Sequence, residues 1–386
     1  MLWNRHQLRG LPAVGGGELR TFLSSAPRVG GRAAGPRLLL WLVLAFGCSS
    51  PERQERFSVP AVPPVSPARD MDASTLFHDG TPPGKVLVNA AVILGVSEGG
   101  TEISMLRRDS LDRFAPVPVE VARPFRSIVD AGVSVDGSRL VVSDPNAAVA
   151  LRAWVWDGRG YRESPPPTLG GGRPAATRVI PVGSDALAAY FASPVQETGE
   201  MFQAAVAGPG GVRLFCATPP ILRDALRKRS MLSVMMRGAL WVTDSVVGCS
   251  HAASLAASVI GARHGEPRES RLAGFDGHVL PRDRPLRLNQ AVFDRFMTEW
   301  AVLVNVFADA SGTVEAYAYG DPDVPTQRRF LVVSCSHGDT STRVCETKSA
   351  SGRPVGLLAR DSLVLLDETA FPVNRTLQVA ALRRPR

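Results

Sequence analysis

Between residues 86 and 386 the apolar residues fall in short runs, each closed within a few positions by Gly, Pro, Asp or Asn. Val86 to Leu94, Arg139 to Ser143, Leu151 to Trp156, Ala186 to Ala192, Met201 to Ala207, Val302 to Phe307, Val314 to Tyr319 and Phe330 to Cys335 are such runs. They are rich in side chains that fit a pleated, half-buried surface. Few windows hold a helical period for more than three turns. Ile221 to Arg229 reads as a short helix, and the Ala-rich Ser250 to Gly261, with Val259 and Ile260, is open to helix or strand. The fold class that follows is all-β with one or two short helices, in a domain large enough to bury a real core, with 45% apolar content over the full chain.

Turn chemistry adds a repeat. Gly132 to Pro145 (GVSVDGSRLVVSDP), Phe307 to Pro322 (FADASGTVEAYAYGDP) and Gly356 to Glu368 (GLLARDSLVLLDE) share an order of apolar strand, polar turn and apolar strand running into Asp. Units spaced by about 50 residues are a repeat-architecture signature, and the pattern resembles β-propeller proteins in general. That resemblance implies about six blades, beginning near 86, 127, 175, 229, 288 and 341; a β-sandwich pair or an irregular β-rich domain shares the strand count. Residues 175 to 218 are the clearest unit, with the runs RVIPVG, ALAAYFAS, MFQAAVAG and VRLFCATP. A propeller has to close, and the expected closure pairs Thr376 to Leu382 with Val86 to Leu94. Trp154 and Trp156, like Tyr317 and Tyr319, alternate along a strand and so share a face, which suits packing between blades.

The N-terminal part speaks to location. Nine apolar residues, Leu38 to Phe46, are too few to cross a hydrocarbon core as a helix, which takes about 20, but they suit the h-region of a signal peptide. Arg28, Arg32 and Arg37 precede them, and Ala45, Phe46, Gly47 and Cys48 close the segment. At these residues the chain resembles bacterial lipoproteins, whose lipobox ends in a small residue and a cysteine. The resemblance implies removal of residues 1 to 47, a diacylglycerol thioether on Cys48 that holds the protein to the membrane, and, with Ser49 next, delivery to the outer membrane of the cell envelope. Two or three acyl chains give a stable anchor, at about 0.8 kcal/mol per buried CH₂. Residues 48 to 85, Pro-rich and without period, read as a tether, and 86 to 386 as the β-rich domain.

Charge carries less. The chain's net +8 includes +5 from residues 1 to 47 (six Arg, one Glu), leaving +3 for the mature part, and lysine occurs only at 85, 228 and 348. No nucleic-acid partner is read from this balance. The cluster Arg223, Arg227, Lys228 and Arg229 suits the end of a short helix.

Four cysteines remain after Cys48, an even number that fits two disulfides in an oxidising compartment. Of three connectivities, Cys216 with Cys249 and Cys335 with Cys345 is preferred, because the latter two flank the turn-like SHGDTST of a hairpin. Buried free thiols are the other reading. No spacing fits a zinc site, and no cofactor or metal is expected.

One motif points to catalysis. Gly95 to Gly100 (GVSEGG) follows an apolar run and resembles the nucleophile elbow of α/β-hydrolases, which makes Ser97 a candidate nucleophile with Asp309 and His337 in triad order. The tether upstream and the strand-like TEISMLRRDS downstream favour a Gly-rich hairpin turn instead. Asp309, Ser311 and Glu315, or Asp321 and Asp323, miss the spacing of a calcium loop. The expected function is a non-catalytic lipoprotein binding a protein or glycan of the envelope. A serine hydrolase using Ser97 and a sensory or substrate-binding accessory of an envelope machine are the alternatives.

Overall fold

A computed structural model describes residues 62–76, 83–223, 238–274, 301–320, 328–336, 344–367 and 376–382, apart from a few positions within those ranges. Residues 1 to 47 and Cys48 lie outside the described residues, as does His337.

The strands follow one another as antiparallel meanders. After β1 (Ser66–Asp72) and a 3-10 turn at Ser74–Leu76, the first meander is β2 (Pro83–Val88), β3 (Val92–Ser97), β4 (Ile103–Arg108) and β5 (Phe114–Pro116). The second is β6 (Asp130–Val133), β7 (Arg139–Ser143), β8 (Leu151–Trp156) and β9 (Tyr161–Ser164). The third is β10 (Ala176–Val182), β11 (Ala186–Glu197), β12 (Glu200–Gly208) and β13 (Gly211–Ala217). The fourth is β14 (Ala239–Val242), β15 (Val246–Ser250), β16 (Ala256–Gly261) and β17 (Arg268–Arg271). The fifth is β18 (Val302–Asp309), β19 (Gly312–Gly320), β20 (Arg328–Ser336) and β21 (Val344–Ala350). The last has three strands in sequence, β22 (Arg353–Ala359), β23 (Ser362–Leu366) and β24 (Thr376–Ala381), and takes β1 as its fourth. It joins the first meander in one eight-stranded sheet through a parallel pair at Val88 and Gly356.

Burial shows how the sheets are arranged. All five residues of β7 are buried, because both faces are covered. Leu140 and Val142 pack with Val92, Leu94 and Met105 of the first meander, while Val141 packs with Val179, Leu187 and Ala189 of the third. The same sharing links the third to the fourth through Tyr190 and Cys249, and the fourth to the fifth through Trp241 and Tyr317. Fifth and sixth meet through Val332 and Leu365, and the sixth returns to the first through Val364 and Ile93. Sheets packed face to face in a closed cycle make a β-propeller-like ring and not a two-layer sandwich. Continuous apolar runs such as ALAAYF follow from the same cause, for a strand covered on both faces has no reason to alternate.

Two glycines show how tightly the first strands approach one another. A Cβ on Gly132 of β6 would lie 1.9 Å from the carbonyl oxygen of Val179 in β10, and one on Gly356 of β22 would lie 1.8 Å from that of Val88 in β2. Only a residue without a side chain permits such backbone contact.

Several expectations are corrected. Closure is made by β1 against β24, with Ser66 opposite Ala381 and Asp72 opposite Thr376, and not by Val86 to Leu94. The stretch read as tether therefore gives the sheet a strand within residues 48 to 85. It was missed because SPARDMD is polar, as suits an edge strand with few buried positions. Val86 to Leu94 is two strands and a turn. The Asn89 side chain accepts hydrogen bonds from the backbone of Ala91 (2.9 Å) and Val92 (2.8 Å), which reverses the chain. Ser250 ends β15 and Ala256 to Gly261 form β16, so the Ala-rich stretch is strand. Ile221 to Arg229 lies outside the described residues except for Arg223. The first three meanders start within a few residues of the expected positions. The later ones start at 239, 302 and 353, because longer connections break the even spacing.

Candidate functional site

The first strands of the meanders carry a charged network that crosses between them. Lys85 of β2 pairs with Asp130 of β6 and donates to the carbonyl of Ala131 at 2.6 Å. The other oxygen of Asp130 accepts the backbone N–H of Val179 in β10 at 2.8 Å. Beside Val179, Arg178 reaches the carbonyl of Val304 in β18, with Nη2 at 3.1 Å. Arg353 opens β22 and acts electrostatically on Lys85, as does Arg178. Side chains or backbone of four first strands are thus joined by contacts in one network, with Arg353 of a fifth acting on it electrostatically, which places it on the axis of the ring.

Its electrostatics are lopsided. The Lys85 side chain is a quarter exposed and that of Asp130 nearly buried. Burial pushes the Lys85 ammonium below its usual pKa; Asp130 opposes that push, and the guanidinium groups of Arg178 and Arg353 add to it. Both oxygens of Asp130 are already engaged.

These residues escaped the sequence reading. A signal was present: PGKVLV, DAGV, ATRVIPV and RPVGLLA each place one charged residue at or near the start of a first strand. It becomes visible only after the repeats are aligned on their first strands.

Ser97 has a different task. It ends β3, and its Oγ accepts hydrogen bonds from the backbone N–H groups of Thr101 (3.1 Å) and Glu102 (3.0 Å). The Gly100 N–H closes on the Ser97 carbonyl at 2.9 Å, so GVSEGG is a hairpin turn between two antiparallel strands. A strand-to-helix elbow does not form. Asp309 receives the backbone N–H of Ser311 at 2.7 Å, a local turn contact. Glu315 is buried and accepts the N–H groups of Ala273 (2.8 Å) and Gly274 (3.0 Å) and the Tyr317 hydroxyl (2.8 Å). Asp144 does likewise for Arg126 (2.7 Å) and Ser127 (3.0 Å). Both acids hold the connection that leads into a meander. No cluster of metal-ligating side chains occurs among the described residues.

Trp154 and Trp156 lie on the face turned to the first meander. The Trp154 indole N–H donates to the carbonyl of Glu120 at 2.7 Å, and Arg107 stacks over Trp156. Tyr317 and Tyr319 are buried between the fourth and fifth meanders.

Both cysteine pairs are joined as the sequence favours. Cys335 and Cys345 face each other across β20 and β21, with Cα atoms 4.2 Å apart. Cys216 of β13 and Cys249 of β15 link the third meander to the fourth, at 6.0 Å. Beside this second bond lies His251, whose Nε2 faces the Ala217 carbonyl at 3.2 Å and whose Nδ1 faces the Tyr190 hydroxyl at 3.1 Å. A neutral ring with its proton on Nε2 satisfies both contacts, and Tyr190 then donates to Nδ1. Burial holds the His251 pKa down at about 4 and raises that of Tyr190. In the unfolded chain the imidazole titrates near 6.5. Between those values the unfolded state binds more protons, so the His251 contribution is complete above pH 6.5 and is lost as pH falls toward 4. Chemical denaturation of the wild type is expected to lose about 3 kcal/mol more than a His251→Asn variant over that interval; parallel pH profiles would contradict this.

No protein-family pattern matches the sequence, and no curated protein sequence does. Among solved structures, the chain is similar to a Bacteroides fragilis protein assigned as exported, with 8% identity, a TM-score of 0.49, and coverage of 82% of this chain and 95% of that one. It is also similar to the β-propeller domain of Swd1 from Myceliophteria thermophila, at 11% identity and a TM-score of 0.38, covering 83% of this chain and all of that one. A third is a gluconolactonase from Xanthomonas campestris, at 11% identity and a TM-score of 0.40, covering 82% and 99%. At such identities and scores the fold rests on the strand pairing and the shared cores described above.

Proposed function

We propose that the protein is an envelope-anchored lipoprotein, held to the outer membrane by lipid on Cys48, whose domain is a non-catalytic binding module for a protein or glycan partner. Its meanders serve as six blades around a common axis. The observation that carries this reading is the convergence of charged side chains from successive first strands on that axis. Ser97, the one residue with a catalytic signature, spends its hydroxyl on a turn. Seventeen residues separate Cys48 from Ser66, a span of up to about 60 Å if extended, so the lipid need not hold the ring against the membrane.

Two measurements test it. Labelled palmitate is expected to enter the wild-type chain and to be absent from Cys48→Ser, with the label in the outer-membrane fraction. Affinity capture from detergent extracts after mild crosslinking is expected to bring down a stable partner. An unlabelled wild type defeats the anchor, and repeated recovery of the protein alone defeats the binding module.

A further inference from the structure

We propose that a cleft between the third and fourth meanders binds an acidic sugar, a uronic acid unit whose carboxylate is taken by Arg263 and His264 and whose hydroxyls reach Asp185. The inference rests on the reading of the domain as a binding module and names a ligand class for it.

The cleft is a cavity of about 280 Å³ where three hairpin turns meet, those joining β10 to β11, β12 to β13 and β16 to β17. Ligand pockets begin at about 300 Å³, so the space suits one sugar unit and would be underfilled by a single acidic side chain. Its floor is apolar, from buried Ala186, Val206 and Ala262, and its rim is charged. Arg213 fixes that rim. From β13 its guanidinium donates through Nη2 to the carbonyls of Gly261 (2.9 Å) and Ala262 (3.1 Å), and through Nη1 to that of Gly265 (3.1 Å). These neutral acceptors hold the turn that carries Arg263 and His264, and they leave the positive charge of Arg213 in place. The side chains of Arg263 and His264 are exposed and make no hydrogen bond or ion pair among the described residues. Their donors are open to a ligand, and a guanidinium presents its N–H groups in a fork that matches a carboxylate. On the third meander, the Asp185 carboxylate accepts no hydrogen bond among the described residues and acts only electrostatically, on buried Arg139. An acceptor beside cations calls for a ligand with donors next to its anionic group, which a uronate has in its ring hydroxyls. No Trp, Tyr or Phe lines the cavity among the described residues, so a neutral sugar finds no ring to stack on and charge does the selecting.

The test is a ligand-observed NMR titration of the full chain purified in detergent, at neutral pH and constant ionic strength, with D-glucuronate, D-glucose and L-glutamate as probes. Glucuronate is expected to bind saturably, and the other two at least fivefold more weakly. Arg263→Gln is expected to weaken glucuronate binding at least fivefold, and Arg263→Lys, which keeps charge without the fork, to fall between. Asp185→Ala is expected to weaken it as well, because a hydroxyl acceptor is lost; tighter binding in that variant would mean that Asp185 repels the ligand and would overturn its role. Since the Arg263 side chain is exposed, its variants should fold, and an unchanged unfolding temperature checks this. Absence of saturable glucuronate binding overturns the site, as do equal binding of glucose and unchanged affinity in Arg263→Gln. Glutamate binding as tightly as glucuronate overturns the sugar in favour of an acidic peptide. Failure of the titration leaves the capture experiment standing, and failure of capture leaves a titrated sugar site intact, so the two readings fall separately.

Discussion

Replacing Gly356 with alanine is expected to cost about 4 kcal/mol or more of folding stability, among the largest effects any single methyl group can have. The added Cβ would stand 1.8 Å from the Val88 carbonyl oxygen, 2.6 Å from its carbonyl carbon and 2.9 Å from its Cα. All three are backbone atoms of a strand already packed in the core, so no side chain can swing aside. The contact is also where β22 pairs with β2, the single parallel register between the last and first meanders. Forcing these strands apart opens the ring at its seam, and the buried cluster of Val88, Ile93, Val355 and Val364 is pried open with it. Equilibrium denaturation of Gly356→Ala against wild type measures the loss. A change under 1 kcal/mol would mean that the two backbones are not in contact. Gly132→Ala, aimed at the Val179 carbonyl, is expected to behave alike.

Removing the bond between Cys216 and Cys249 is the second large effect. A loop of 33 residues gives about 3.7 kcal/mol by the chain-entropy estimate, against about 2.7 for the 10-residue loop of Cys335 and Cys345. The topology widens the difference. The shorter bond joins residues already opposite each other in neighbouring strands, whereas the longer one crosses between two sheets whose shared core contains both sulfurs. Cys216 also occupies the left-handed region, with φ of 64°, where an L-residue other than glycine is strained by about 1 kcal/mol. The variant Cys216→Gly/Cys249→Ala should therefore lose about 1 kcal/mol less than Cys216→Ala/Cys249→Ala. Thermal or urea unfolding of the two double variants decides it, and equal losses would remove backbone strain from the account.

These predictions rest on features the sequence reveals unevenly. β7, β8 and the four strands of the third meander are legible because each combines a β-rich run with a turn of recognisable chemistry, such as Asp-Gly at 136 and 137 or Gly-Pro-Gly-Gly at 208 to 211. Cys335 and Cys345 are legible as a pair because they lie near in sequence and bracket a hairpin, which leaves Cys216 to Cys249. β1 is not, for a polar edge strand buries little and leaves no periodic trace; its place is set by a partner at the other end of the domain. The axial network is hidden for a related reason. Lys85, Asp130, Arg178 and Arg353 are each an isolated charge beside an apolar run, and only the circular order of the strands turns them into neighbours. Ser97 erred in the opposite direction, since a local motif resembled a catalytic turn while its pairing made it a hairpin.

The pairing of β1 with β24 has a consequence for how the chain becomes a folded protein. Ser66 finds its partner Ala381 about 300 residues later, a separation that makes this closure entropically costly and slow. Until then β1 has no partner strand. An unpaired strand in that position invites pairing with the wrong molecule. Its composition answers the hazard: Pro67 lacks a donor, and Arg69, Asp70 and Asp72 keep the waiting edge charged and hydrated. The polarity that disguised this strand as tether is what lets it wait for its partner without aggregating.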